Sequence, residues 1–344
     1  MQKTFIIAEA GVNHNGDEGL ALQLVETAAR AGADAVKFQT FSAEKLVAPG
    51  AMKAEYQARE TGDGDQYSML KALELSKSAF CRLYERCRAL GIEFMSTPFD
   101  EDAADFLLGL GMRRIKVPSG EITNEPFLGF LAAKGIPMIL STGMADLREI
   151  VRAVAVVRSA RELAGMREPL GDVLTILHCT SNYPAACKDV NLLAMQTIAR
   201  ETGLPVGYSD HTMGIAIPTA AVAMGATVIE KHFTLDRNLP GPDHKASLSP
   251  HELHALVQQI RDVEEALGAT EKRPTESELP VRALVRRSVT AIRPLRAGEV
   301  ICADDVALLR PGTGIPPAEI PNVIGRVALR DLSPGTTLQW SDVA

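Results

Sequence analysis

The chain has 344 residues, 46% of them hydrophobic and 23% charged, enough to bury one large core with a smaller second domain beside it. A formal net charge of −7, with acids and bases interspersed, excludes the basic footprint of a nucleic-acid binder but leaves room for small anions held by local cations. The longest apolar tract, Ile215 to Ile229, is broken by Pro218 and Gly225 and falls short of the roughly 20 residues a membrane span needs.

Cys81, Cys87, Cys179, Cys187 and Cys302 form no C-x-x-C pair. No secretory leader is recognisable, so the expectation is reduced thiols in a cytoplasmic protein with no membrane contact.

A unit recurs along the chain: a short β-rich run, a polar end, an amphipathic helix, then glycine. The first strand is Phe5–Glu9, followed by a helix capped by Asp17 and stopped by Gly32. The second is Ala35–Gln39, separated by a polar insertion, about Phe41 to Lys71, from a helix over Ser76–Leu90. Ile92–Phe99 and Arg113–Glu121 are the third and fourth, with helices running through Leu107 and to Lys134. Met138–Gly143 is the fifth, its helix beginning at Asp146. Val173–Ser181 precedes a helix near Leu192–Glu201, and Val206–His211 one around Ile215–Met224. The eighth strand is Thr227–Thr234, and its helix opens on a capping box, Ser249-Pro250-His251-Glu252.

Eight alternations over residues 1–268 predict a (β/α)8 TIM barrel. The rival, a doubly wound open sheet, would carry a G-x-G-x-x-G loop after its first strand, and none stands here. Residues 269–285 read as a polar linker. Residues 286–344 read as a small β-rich domain with an internal near-repeat, Leu295-x-x-Gly298-x6-Asp305-Val306 and Leu332-x-x-Gly335-x6-Asp342-Val343.

In a barrel the carboxyl ends of all strands share one face, so polar residues there converge. Lys37 and Lys116 sit in otherwise apolar strands, where a lysine is costly unless paired or ligand-bound. With hydroxyls from Thr97, Ser119, Ser141 and Ser209 they suit a phosphate or carboxylate. His211 and His232 end neighbouring strands and suit a divalent metal with open positions; two protein ligands favour Mn²⁺, Mg²⁺ or Co²⁺ over structural zinc. Glu9 and Glu121 are mouth carboxylates, able to handle protons or to bind hydroxyls. Gln39, Phe99, Ser181 and Tyr183 join them at strand ends. His14 stands in a Gly/Asn loop and can serve that turn alone; His251 and His254 read as a solvated helix face, and Cys179 as a packed thiol.

Several of these stretches together are distinctive: Ile7 to Gly16, Val36 to Gln39, Ser96 to Phe99, Lys116 to Glu121, Ser141 to Gly143, Tyr208 to His211, Glu230 to His232, Gly241 to His244 and Arg310 to Gly314. Across nearly the whole chain they resemble the sialic acid synthase family. The resemblance implies a barrel followed by an antifreeze-like (SAF, β-clip) domain. It implies a transferase that condenses phosphoenolpyruvate with an N-acyl mannosamine-type sugar, releasing phosphate, with N-acetylneuraminate as product.

By the same resemblance, His211 and His232 hold the metal. Lys37, Thr97, Lys116, Ser119, Ser141, Ser181 and Ser209 hold phosphoenolpyruvate. Glu9, Gln39, Phe99, Tyr183 and Asp243 face the sugar, and Glu121 assists at the carbon that loses phosphate. Arg310 reaches the sugar from the partner of a domain-swapped homodimer. One departure opens an alternative: Ser181-Asn182-Tyr183-Pro184 stands where neuraminate synthases commonly carry Asn-Ile-Tyr-Pro. The serine resembles siblings that make N,N'-diacetyllegionaminate or pseudaminate.

Overall fold

The computed structural model describes residues Lys3–Ala344, which fold as two compact units, one ending at Gly268 and the other running from Ala269 to Ala344. The first is the predicted parallel barrel. Its strands are β1 (Phe5–Gly11), β2 (Ala35–Thr40), β3 (Glu93–Pro98), β4 (Ile115–Val117), β5 (Met138–Ser141), β6 (Leu174–Cys179), β7 (Val206–Asp210) and β8 (Val228–His232). They lie in the order β3-β2-β1-β8-β7-β6-β5-β4, and β3 and β4 meet across the seam without a ladder. The outer helices are Glu18–Ala31, Lys77–Leu90, Glu101–Leu110, Glu125–Ala132, Leu147–Leu163, Ala194–Thr202, Ala216–Ala223 and Pro250–Leu267.

Local chemistry sets the helix limits. The Asp17 carboxylate accepts from Leu20 N–H at 2.8 Å, and Gly32, at φ 84°, ends the helix in the left-handed conformation. The capping box read at Ser249 is present: Ser249 N–H donates to Glu252 at 2.8 Å, and Glu252 N–H to the Ser249 hydroxyl at 3.3 Å.

Two apolar layers hold the barrel. Outward-facing strand residues such as Ile6, Ala8, Val36 and Phe38 pack against Leu24, Val25, Leu253 and Leu256 of the helices. Inside, Ile7, Ala35, Met95, Ile139, Leu177 and Val228 fill the bore, so it is a solid floor and not a channel. A Cβ on Gly207 would meet the Val228 carbonyl oxygen at 2.4 Å and Leu177 Cδ2 at 2.7 Å, so close packing within the bore demands glycine there.

The sequence reading differs from the structure in two stretches. The polar insertion carries three short helices, Ala43–Leu46, Glu55–Thr61 and Gln66–Leu73. The segment read as linker carries another, Glu278–Val285, with no buried residue. Neither has an apolar stripe long enough to announce a helix by period.

In the second unit, β9 (Ser288–Ala291) and β10 (Val306–Leu309) form an antiparallel pair, and isolated bridges join Leu295 to Leu332 and Val300 to Val327. The near-repeat is a structural one. Arg293 pairs with Asp305 at 2.6 Å and Arg330 with Asp342 at 2.6 Å, while each aspartate's second oxygen accepts from a backbone N–H, Cys302 and Gln339 respectively. None of the described helices is long and apolar enough to cross a membrane.

Candidate active site

Side chains alternate along a strand, so the residue two places beyond a bore-filling side chain points into the same interior, one layer nearer the carboxyl end. Two places after Ile7, Ala35, Met95, Ile139, Leu177 and Val228 stand Glu9, Lys37, Thr97, Ser141, Cys179 and Glu230. These residues, with Lys116 and Ser209, line a cavity of about 540 Å³ at the barrel mouth. The alternation also separates neighbours: Lys231, between Glu230 and His232, points the other way into an outward ion pair with Asp210.

The neck of the cavity is a buried four-charge cluster. Lys37 Nζ lies 2.6 Å from Glu9 Oε2 and 3.7 Å from Glu230 Oε2, and donates to Thr97 Oγ1 at 3.0 Å. Lys116 Nζ lies 3.4 Å from Glu230 Oε1, to which Ser209 Oγ donates at 2.9 Å. All four charged residues are at most 5% exposed. Glu9 Oε2 and Glu230 Oε2 have ion contacts but no aligned hydrogen-bond donor, and the Ser141 hydroxyl has no partner.

Burial works differently on the two acids. It pushes Glu9 up to about 7, Lys37 opposing and Glu230 reinforcing. Burial also acts against the Glu230 charge, but Lys116 and Lys37 outweigh it and hold that carboxyl at about 2. Burial draws the Lys116 ammonium down from its ordinary value, partly offset by Glu230. A cluster of this kind, shielded from water and short of partners, is where a charged ligand gains most.

Against this cluster stand two imidazoles, His211 and His232, with ring centroids 5.6 Å apart. His211 Nδ1 is 2.7 Å from the Thr180 carbonyl oxygen, which leaves Nε2 for the cavity. His232 Nδ1 is buried without a partner, and burial, with His211 and Lys37 nearby, holds its pKa well below the usual imidazole value. Tyr183 packs on His211 at 4.0 Å and edge-on to His232 at 5.6 Å. No group of three or more His, Cys, Asp or Glu side chains suited to a metal is found among the described residues. Two imidazoles alone do not make a closed structural zinc site; they could supply two ligands to a divalent cation whose other ligands come from substrate and water.

Of the residues singled out from the sequence, Glu9, Lys37, Gln39, Thr97, Phe99, Lys116, Ser119, Glu121, Ser141, Ser181, Tyr183, Ser209, His211 and His232 line this one cavity. Gly143 is what lets the hydroxyls of Ser119 and Ser181 approach: a Cβ there would fall 2.2 Å from Ser181 Oγ and 2.9 Å from Ser119 Oγ. Asp243 is buried outside the lining set, near enough to Tyr56 and Tyr183 to help raise both hydroxyls, while its own carboxyl is pushed up by burial to about 6. Arg310 is exposed on the second unit. His14 serves its turn, accepting from Gly16 N–H at 3.0 Å, and His251 and His254 are exposed.

Sequence reasoning missed Glu230 as the hub of the cluster. The two-residue step from Val228 through Glu230 to His232 was the available signal. It also missed the insertion's contribution, including Tyr56, Gln57, Gln66 and Leu70. Cys179, read as a packed thiol, is buried as expected, yet its Sγ lies 3.8 Å from His211 Nδ1 at the cavity wall.

A (β/α)8 barrel with buried ammoniums and two imidazoles at its carboxyl-end mouth has the layout of an enzyme active site, with cations placed to meet an anion. The chain belongs to the NeuB family, whose model matches residues 24–272; residues 286–344 match the SAF domain. It is 57% identical to the N,N'-diacetyllegionaminic acid synthase of Legionella pneumophila over 98% of this chain and 94% of that one. It is 46% identical to the N,N'-diacetyllegionaminic acid synthase of Campylobacter jejuni over 96% and 97%. Among solved structures, the N-acetylneuraminic acid (sialic acid) synthetase of Leptospira borgpetersenii in complex with citrate matches with a TM-score of 0.71 and 37% identity, covering 81% of this chain and 90% of that one.

Glu230→Gln removes the counter-charge that Lys116 and Lys37 share. The expected result is a loss of about 3–5 kcal/mol of stability in urea unfolding, the cost of leaving a buried charge uncompensated; an unchanged midpoint would contradict the cluster's role.

Proposed function

We propose that this enzyme joins phosphoenolpyruvate to the open-chain aldehyde of an acylamino sugar, releasing phosphate, and that the sugar is the 2,4-diacetamido-trideoxymannose that leads to N,N'-diacetyllegionaminate. One observation carries the reaction class: two ammonium groups, buried among serine and threonine hydroxyls, share a cavity with two imidazoles. The choice of sugar rests on the relatives named for diacetyllegionaminic acid at 57% and 46% identity, against 37% for the neuraminic acid synthetase. The N-acetylneuraminate product implied by the family resemblance gives way to the alternative carried with it.

In this reading Lys37 and Lys116, with Thr97, Ser119, Ser141, Ser181 and Ser209, hold the carboxylate and phosphate of phosphoenolpyruvate. Neutralising those charges lets the enol approach an electron-rich sugar and turns the encounter into a positioned one. Gln39, Phe99 and Tyr183 orient the sugar, and Asp243, which lies outside the cavity lining, acts through Tyr183. The enol CH₂ carbon bonds to the aldehyde carbon, whose oxygen takes up a proton. Water adds to the phosphate-bearing carbon, and the C–O bond to phosphate then breaks, leaving the keto group. Glu9, with a pKa near neutrality, is suited to give or take a proton there, and Glu121 stands at the rim for the water. His211 and His232 would hold a divalent cation, Mn²⁺ before Mg²⁺ or Co²⁺, whose chemistry when bound is Lewis-acid polarisation of the aldehyde. Arg310 of the partner subunit would reach the sugar in a domain-swapped homodimer.

Two measurements test this. Purified protein with Mn²⁺ and phosphoenolpyruvate should release phosphate and form a 2-keto acid with the diacetamido sugar at a kcat/KM at least tenfold above that with N-acetylmannosamine; mass spectrometry of the product decides. His232→Ala should lose Mn²⁺ binding in calorimetry as well as turnover, and Arg310→Ala should lose turnover alone. If Arg310 acts in trans, co-expressing the two variants restores activity, whereas a mixture as inactive as its parts would contradict it.

A further inference from the structure

We infer that the insertion between β2 and the helix Lys77–Leu90 selects the sugar: Leu46, Val47 and Leu70 form an aliphatic wall for the methyl group at C6, and Gln66 receives the acetamido group at C4. This rests on the reading just proposed and deepens it.

The first observation is a separation of charge. Residues 41–75 carry six acidic and four basic side chains, yet not one of these lines the cavity. The charges turn outward into their own pairs, such as Lys71 with Glu44 at 2.8 Å and Glu74 at 2.9 Å, and Lys245 with Glu60 at 2.5 Å. What the insertion presents inward is aliphatic, aromatic or amide. The far end of the cavity is thus uncharged, in contrast to the four-charge neck.

The second is direction. The bore is plugged by Ile7, Met95 and Ile139, and the anion-holding groups stand directly above that floor. With the aldehyde at the imidazoles, the remainder of an open sugar chain can extend only outward. An aromatic ladder marks that path: Tyr183 lies 4.0 Å from His211, and Tyr56 of the insertion stacks on Tyr183 at 5.0 Å. The far carbons of the sugar therefore meet the insertion.

The third is hydrogen-bond supply. The Gln66 side chain lines the cavity and has no hydrogen-bond partner among the described residues. Gln57 spends its carbonyl oxygen on Ala54 N–H at 3.0 Å, and its NH₂ faces the Tyr56 hydroxyl. A free carboxamide can both donate to and accept from a secondary amide, which suits an N-acetyl group better than a lone hydroxyl. Beside it the aliphatic wall has nothing to offer a hydroxymethyl group, whose oxygen would lose water without compensation. A methyl fits that wall without such a loss.

The test compares kcat/KM on three sugars: the diacetamido-trideoxymannose, its C6-hydroxylated analogue, and N-acetylmannosamine. The first pair differs only at C6 and the second only at C4. Wild-type enzyme should favour methyl over hydroxymethyl by about 10- to 100-fold, the range a hydrophobic pocket reaches against an added hydroxyl. Val47→Thr, which preserves shape, and Leu70→Asn should cut that preference about tenfold while leaving the KM for phosphoenolpyruvate unchanged. Gln66→Leu should reduce the C4 preference and spare the C6 one. Variants that slow all three sugars equally, or that leave both ratios in place, overturn the inference alone. A wild-type preference for N-acetylmannosamine overturns the proposed product and this inference with it.

Discussion

Two lysines and two glutamates share the neck of the barrel, almost without water, and the rest of the site is arranged around the cost of keeping them there. Isolated charges do not survive such burial; these persist because each ammonium has a carboxylate within reach and each glutamate has an ammonium. The compensation is incomplete. Two carboxylate oxygens and the Ser141 hydroxyl have no aligned partner, and Glu9 is driven toward neutrality. As Glu9 takes up a proton the cluster becomes net positive, which suits an incoming anion carrying both carboxylate and phosphate. Incomplete satisfaction, costly for the fold, is what makes the site receptive.

The barrel provides this cheaply. Six of the eight strands contribute a floor side chain and, two residues later, a residue of the cavity wall, so packing and chemistry are stacked layers of one alternation. Ile7 and Glu9 show the step on β1, and Val228, Glu230 and His232 repeat it on β8. The parallel registers then bring Glu9 level with Lys37 on one side and His232 on the other. Residues more than 200 positions apart in the chain thus meet without any loop having to be held in place at entropic expense.

The same alternation explains what could be read in the amino-acid sequence. Lysines inside Val- and Phe-rich strands, and histidines at strand tips, were legible because they break an apolar period whose meaning is geometric. The capping box at Ser249 and the repeat in residues 286–344 were legible for like reasons, each being a local pattern with a local cause. The insertion was not. Glu55–Thr61 buries nothing, and its inward residues, Tyr56 and Gln57, are adjacent in sequence and lack a periodic mark. Glu230 was hidden by its neighbours, since Glu-Lys-His reads as a polar cluster until the pleat assigns Glu230 inward and Lys231 outward. The sugar was the least legible feature, because the motifs at the neck name no sugar and the uncharged side chains the insertion adds to the cavity form no motif.

The most direct test of the buried cluster as the anion site is calorimetric titration of phosphoenolpyruvate into the metal-loaded enzyme and into Lys116→Met, both without sugar. Removing one of two desolvated cations from the anion's contact shell should weaken binding by about a hundredfold or more. The account predicts that loss in a variant that remains folded. Wild-type affinity retained by folded Lys116→Met would contradict it.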